Sequence, residues 1–187
     1  RLTEIFNKER NPDIRMALAT GFGKSKDLEF LPALKTVLVA ETDYRVKCNI
    51  LRALTNFPYA EIKESVINNL KSDNLHVAIS AATVLQTNGF IEDVPLYASF
   101  DTVTTPWQVR ALMNGAVLTH TALYFTKSKV AFTERIRKNM KDADSPYEKA
   151  AYVNAISKDP YNYALLGQIY TSEKDAIIKI TALEGIG

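Results

Sequence analysis

A single cysteine, Cys48, excludes an internal disulfide and a cysteine-based metal site. Glycine and proline occur only seven times each, which disfavours a turn-rich β sandwich. Charge of one sign is not in excess. Lys and Arg number 23 against 21 Asp and Glu, and the net +2 gives no global argument for nucleic acid or an anionic membrane. There is no long hydrophobic run. The most apolar stretch, Val109 to Phe125, contains Arg110, Asn114 and His120 and is too short to span a bilayer. A signal-peptide pattern is also missing. So are a Gly-rich phosphate loop, a Ser-His-Asp set and a paired-carboxylate signature. The residues therefore indicate no reaction, no cofactor and no metal.

What is present is ordinary soluble usage, with 47% hydrophobic and 24% charged residues, which excludes disorder for most of the length. The 187 residues suit one domain or one short repeat array. The chain starts at Arg1 and stops at Gly187 directly after an apolar helical run. It is expected to be a piece of a longer protein.

Sliding the sequence on itself near a period of 31 aligns six segments, anchored at Ile14, Val46, Val77, Val109, Glu148 and Ile178. The spacings are 32, 31, 32, 39 and 30. Four places after each anchor stand Leu18, Ile50, Ala81, Met113, Tyr152 and Ala182. Eight places on stand Phe22, Leu54, Leu85, Val117, Ile156 and Ile186, and the column two places on, which includes Cys48, is apolar as well. The column seven places on, from Gly21 through Ala53 to Gly185, is small or β-branched, as close helix approach requires. Offsets of 0, 4, 7 and 8 define one face of an α-helix.

Asn11-Pro12, Thr105-Pro106 and Ser145-Pro146 place a capping residue before a proline at a helix start. Thr105 with Gln108, and Ser145 with Glu148, fit a capping box. Second amphipathic segments fall near 27–40, 60–72, 91–98, 129–141 and 160–171, the third shortened or bent by Pro95. No stretch alternates with period two for long enough to be a strand. The pattern predicts an all-α chain of helix hairpins, five pairs and the first helix of a sixth. A lone hairpin cannot bury its apolar face, so the hairpins are expected to stack as one α-solenoid over 1–187.

The column one place after the anchor reads Arg15, Lys47, Ala78, Arg110, Lys149 and Lys179. An apolar residue followed by Arg or Lys, early in the first helix of a pair, resembles the HEAT repeat, as does Asn11-Pro-Asp-Ile-Arg15. The resemblance covers essentially the whole chain, with departures at Ala78 and Glu148. The segments 145–156, Asp159-Pro-Tyr-Asn-Tyr163 and 176–187 are similar to helical repeat regions of large bacterial proteins that also carry a cyclophilin-type peptidyl-prolyl isomerase domain. That likeness implies a parent chain with isomerase activity in the bacterial envelope or periplasm. No catalytic residue of that family maps onto this chain.

The basic column reads either as an internal ladder, paired with Asp13, Asp43, Asp73 or Asp144 at the turns, or as a stripe for an anionic partner. A second basic cluster comprises Lys127, Lys129, Arg135, Arg137, Lys138 and Lys141, opposed only by Glu134. It is either a solvated helix face or a contact for an acidic protein or nucleic acid. Arg135, Arg137, Lys138 and Lys141 are the candidate interaction residues. His76 and His120 lack ligand spacing, Cys48 is expected in the core, and Trp107 is expected at a helix start. The spacing of 39 marks the fourth hairpin as irregular, with the extra length expected in its first helix or around His120–Ser128. Asn114 also interrupts an otherwise apolar column there. The expected function is a non-catalytic scaffold binding protein or peptide. The alternative is a nucleic-acid-binding protein with the architecture of HEAT-like DNA glycosylases, which the near-neutral charge and single Trp disfavour.

Overall fold

The computed structural model describes residues 1–122 and 125–187. Among them the chain is all-α, with twelve α-helices, three short 3₁₀ turns and no strand. It divides into two compact units, Arg1–Gly89 and Phe90–Gly187. The first unit holds α1 (Leu2–Lys8), α2 (Pro12–Ser25), α3 (Leu31–Ala40), α4 (Tyr44–Leu54), α5 (Tyr59–Leu70) and α6 (Leu75–Asn88). The second holds α7 (Val94–Ser99), α8 (Trp107–His120), α9 (Thr126–Asp142), α10 (Pro146–Ile156), α11 (Tyr163–Ser172) and α12 (Ala176–Glu184). The first helices of successive hairpins pack side by side within each unit, α2 on α4 on α6 and α8 on α10 on α12.

Local chemistry sets the helix starts. The Asn11, Asp43, Asn74 and Asp175 side chains each accept the amide two residues on, at 2.9–3.0 Å. Each satisfies one donor that the helix itself leaves open. Ser145 accepts from the Glu148 amide at 3.2 Å. Its capping box is only half made, because the Glu148 carboxylate turns to Arg110. The Thr105–Gln108 box does not form. The Thr105 hydroxyl instead meets that of Thr102 at 2.9 Å, and α8 starts after Pro106 without a side-chain cap.

Most of the aligned columns form the core, and the expected core positions Ile180 and Ile186 of the last aligned segment are exposed. Ile50, Leu54, Ala81 and Leu85 are buried in the first unit, and Met113, Tyr152 and Ile156 in the second. In α2 the buried stripe is rotated about one residue from the aligned pattern, onto Ala19, Phe22 and Gly23, and Ile14 is exposed. The close approach expected at Gly21 therefore falls at Gly23. A Cβ there would lie 2.8 Å from the Ala53 Cα, whereas one at Gly21 would touch nothing within 4 Å. The helix α1 has no counterpart in the repeat pattern; its Phe6 packs edge-on against Phe22, with ring centroids 5.3 Å apart.

Pro95 sits in the first turn of α7, which is only six residues long and follows a 3₁₀ turn at Ile91–Asp93. The extra length of the fourth hairpin does not lie in its first helix. At 14 residues α8 matches α2 and α6, whereas α9 has 17 residues against 10 in α3 and α11. Residues 123 and 124, within the connection where an insertion was expected, lie outside the described residues.

Candidate functional site

The long helix α9 turns Phe132 and Ile136 into the core and leaves Arg137, Lys138 and Lys141 exposed. Apolar residues four apart on one face produce this division. Beside it runs α11, whose Leu166 and Ile169 are buried. Between the two helices lies an open groove of about 810 Å³. Met140, Leu165 and Ile169 give it apolar lining, and Arg137, Lys138, Lys141 and Lys149 give it cations. Glu134 and Glu173 also line it. An adjoining hollow of about 300 Å³ shares Glu134, Arg137, Leu165 and Gln168 with it and extends to Val130 and Tyr161.

The structure brings Arg137, Lys138 and Lys141 to this groove and takes Arg135 elsewhere. The Arg135 guanidinium points to Asp101, at 2.7 Å, and lies over the Phe132 ring. Lys129 is also removed from the cationic face expected for this cluster. It is buried and pairs with buried Asp159 at 3.5 Å, which ties the start of α9 to the turn before α11. The Asp159 carboxylate further accepts from the Tyr161 amide at 3.4 Å. Lys149 joins these cations from the first turn of α10; its position in the basic column was the only sequence signal for it.

A polar network lies beside this hairpin. Asp101 accepts from Asn139 at 2.6 Å and from Asn114 at 3.3 Å, besides its contact with Arg135. Asn114 is fully buried, so the interruption of its apolar column is explained by this partner. Arg110 donates to the Tyr152 hydroxyl at 2.6 Å, to Glu148 at 3.2 Å and to the Thr102 carbonyl at 3.2 Å. Glu148 occupies an apolar anchor column because it receives Arg110 from the preceding first helix. Burial pushes the Tyr152 phenol up to about 12, against the pull of Arg110. The group is braced rather than poised for proton transfer near neutrality.

The basic column divides between internal pairing and exposure. Arg15 pairs with Glu41 at the end of α3, not with a turn aspartate. Arg45, just before the column, pairs with the α4 cap Asp43 at 2.7 Å. The hydrogen bond from Arg45 holds the Asp43 carboxyl down at about 2. Lys179 lies over the Tyr170 ring, 4.7 Å from its centroid. Among the described residues Lys138, Lys141 and Lys149 form no ion pair.

Cys48 is buried among apolar neighbours in α4. His76 is exposed and stacks on Tyr44, and His120 lies by Tyr97. Among the described residues no cluster of three His, Cys, Asp or Glu could hold a metal ion. No described helix is long and apolar enough to cross a membrane. No protein-family model matches the chain, and no curated protein matches it either.

Proposed function

We propose that the chain is a non-catalytic, HEAT-like scaffold that binds protein or peptide segments in the groove between α9 and α11. The observation that carries this reading is the groove itself. It joins apolar side chains to cations, and three of those cations, Lys138, Lys141 and Lys149, form no ion pair among the described residues. Binding surfaces on proteins combine apolar anchoring with polar groups at the rim, and this groove offers both. The HEAT resemblance supports the reading, since stacked hairpins expose the second helices in series. The C-terminal likeness to cyclophilin-bearing bacterial proteins supports a further step. In it, this region captures or presents clients for an isomerase domain of the same parent chain in the cell envelope.

The nucleic-acid alternative loses ground on particular residues. Two of the six cations of the second basic cluster, Lys129 and Arg135, are committed to Asp159 and Asp101. Backbone binding needs several cations free on one surface. The test is an NMR titration of the isotopically labelled 187-residue chain with pooled dodecapeptides of varied composition. Shifts gathered on α9 and α11 are expected with at least one pool. No shift with any pool, or shifts only outside these helices, would overturn the proposal.

A further inference from the structure

We infer that the α9–α11 groove selects an acidic segment, a short extended peptide with an apolar side chain at one end and two or more carboxylates at the other. This rests on the peptide-binding reading above and names the chemistry of the partner.

The charge inside the groove is unbalanced. Four cations line it against two acids, Glu134 and Glu173. Glu134 is taken by Arg137 at 2.8 Å. Lys138, Lys141 and Lys149 then face only Glu173. Helix stabilisation accounts for some of this excess but not for all of it. Lys141 lies in the last turn of α9, where a cation suits the helix dipole. Lys149 lies in the first turn of α10, where the dipole disfavours a cation. It carries no ion pair, although Arg15 and Arg110, at the equivalent place in their own first helices, do. The carboxylates of an acidic segment would offset this excess.

The groove and its adjoining hollow differ from one end to the other. Val130 and Tyr161 stand 63% and 69% exposed at the end away from Lys141. From Val130 to Lys141 the helix rises roughly 16 Å. About five residues of extended peptide span that distance at about 3.3 Å each. A segment of this length can therefore lay an apolar side chain against Val130 and Tyr161 while its carboxylates reach the lysines. A polyanion without an apolar group would leave that end of the groove empty, which favours peptide over nucleic acid.

The test is fluorescence anisotropy with the whole chain and three labelled dodecapeptides of one frame: Leu with four Glu, the same with four Gln, and the same with four Lys. At about 0.15 M salt the acidic peptide is expected to bind at least tenfold tighter than the Gln peptide, with a further loss as salt rises. Replacing its Leu by Ser should weaken it at least threefold. The changes at exposed Lys138 and Lys141, Lys138→Glu with Lys141→Glu, should lower affinity at least tenfold, and Lys149→Glu, at a half-buried position, at least threefold. Circular dichroism melts check that these variants fold. Equal or tighter binding of the Gln or Lys peptide would overturn the inference and leave the peptide-binding function standing. Competition by single-stranded oligonucleotide as effective as that by the acidic peptide would also overturn it. Binding of no peptide at all would remove the function and the inference together.

Discussion

Replacing Asp101 by Ala tests whether the polar network holds the second unit together. The Asp101 side chain is only 6% exposed and links the segment after α7 to Asn114 of α8 and to Asn139 and Arg135 of α9. Three losses follow. Asn114, 0% exposed, loses the acceptor of its amide, and an unmade hydrogen bond at a buried group costs about 1–3 kcal/mol. Asn139, half-buried, loses a bond to a charged acceptor, worth roughly 1.5 kcal/mol once water partly replaces it. Arg135, 56% exposed, loses an ion pair worth about 0–1 kcal/mol. Relief from burying a carboxylate offsets part of the total, leaving about 2–4 kcal/mol. For a chain of this size that lowers Tm by roughly 5–15 °C. Urea unfolding and thermal melts followed by circular dichroism measure it. Arg135→Ala should cost under about 1 kcal/mol. The double variant with Asn114→Val should recover the share of the Asp101→Ala loss that comes from Asn114, about 1 kcal/mol or more, because Val leaves no unpaired amide at that buried position. A loss below about 0.5 kcal/mol for Asp101→Ala, or strict additivity in the double variant, would refute the reasoning.

Gly23→Ala should destabilise the first unit by about 1–3 kcal/mol, since its Cβ would meet the Ala53 backbone at 2.8 Å; Gly21→Ala, facing open space, should not, and melts compare the two. Cys48, buried in α4, should react slowly with a thiol reagent in the native chain and fast in denaturant; fast native labelling would place it outside the core. Tyr152 makes stability fall as pH rises from about 10 to about 12. In that window the unfolded phenol has lost its proton while the folded one keeps it, so unfolding binds fewer protons. Tyr152→Phe should lessen this alkaline loss in urea titrations at pH 9.5 and 11.5, and an unchanged slope would count against the shift.

The repeat columns made the helix content and most of the core legible, because burial at offsets of 4 and 8 is a one-dimensional signal that survives in sequence. Leu54, Leu85 and Ile156 are buried as their columns require. Such a signal fails where neighbours differ. At α2 the helix is rotated, so Gly23 rather than Gly21 meets Ala53. At the fourth hairpin the extra residues went into α9, which spacing alone could not assign. The residues that line the groove were half legible for a related reason. A run of cations says which residues are basic but not which way each turns on a helix. Residues 135 and 137 are two apart, hence about 200° apart around the axis, so Arg135 and Arg137 cannot share a face. Asp101 belongs to no motif, and its role depends on three residues 13–38 positions away. Nothing local announces it.

The irregular hairpin joins the two halves of the functional argument. Its polar residues fall into two sets that α9 keeps apart. One set faces inward or sideways: Asn139 and Arg135 hold Asp101, and Lys129 holds Asp159. These contacts fix α9 at its start and along its flank. The other set is Lys138 and Lys141 of the same helix, with Lys149 of α10 lining the groove and forming no ion pair among the described residues. A binding groove benefits from this arrangement, since cations held by a rigid helix lose less freedom when a ligand arrives. Loosening the brace should therefore weaken ligand binding without touching the groove. Asp101→Asn keeps the size of the side chain but removes its charge, and it leaves Lys138, Lys141 and Lys149 in place. It should lower affinity for the acidic peptide at temperatures well below its melting point. An affinity equal to that of the parent chain would show that α9 is held well enough without Asp101, and that the brace serves the fold alone.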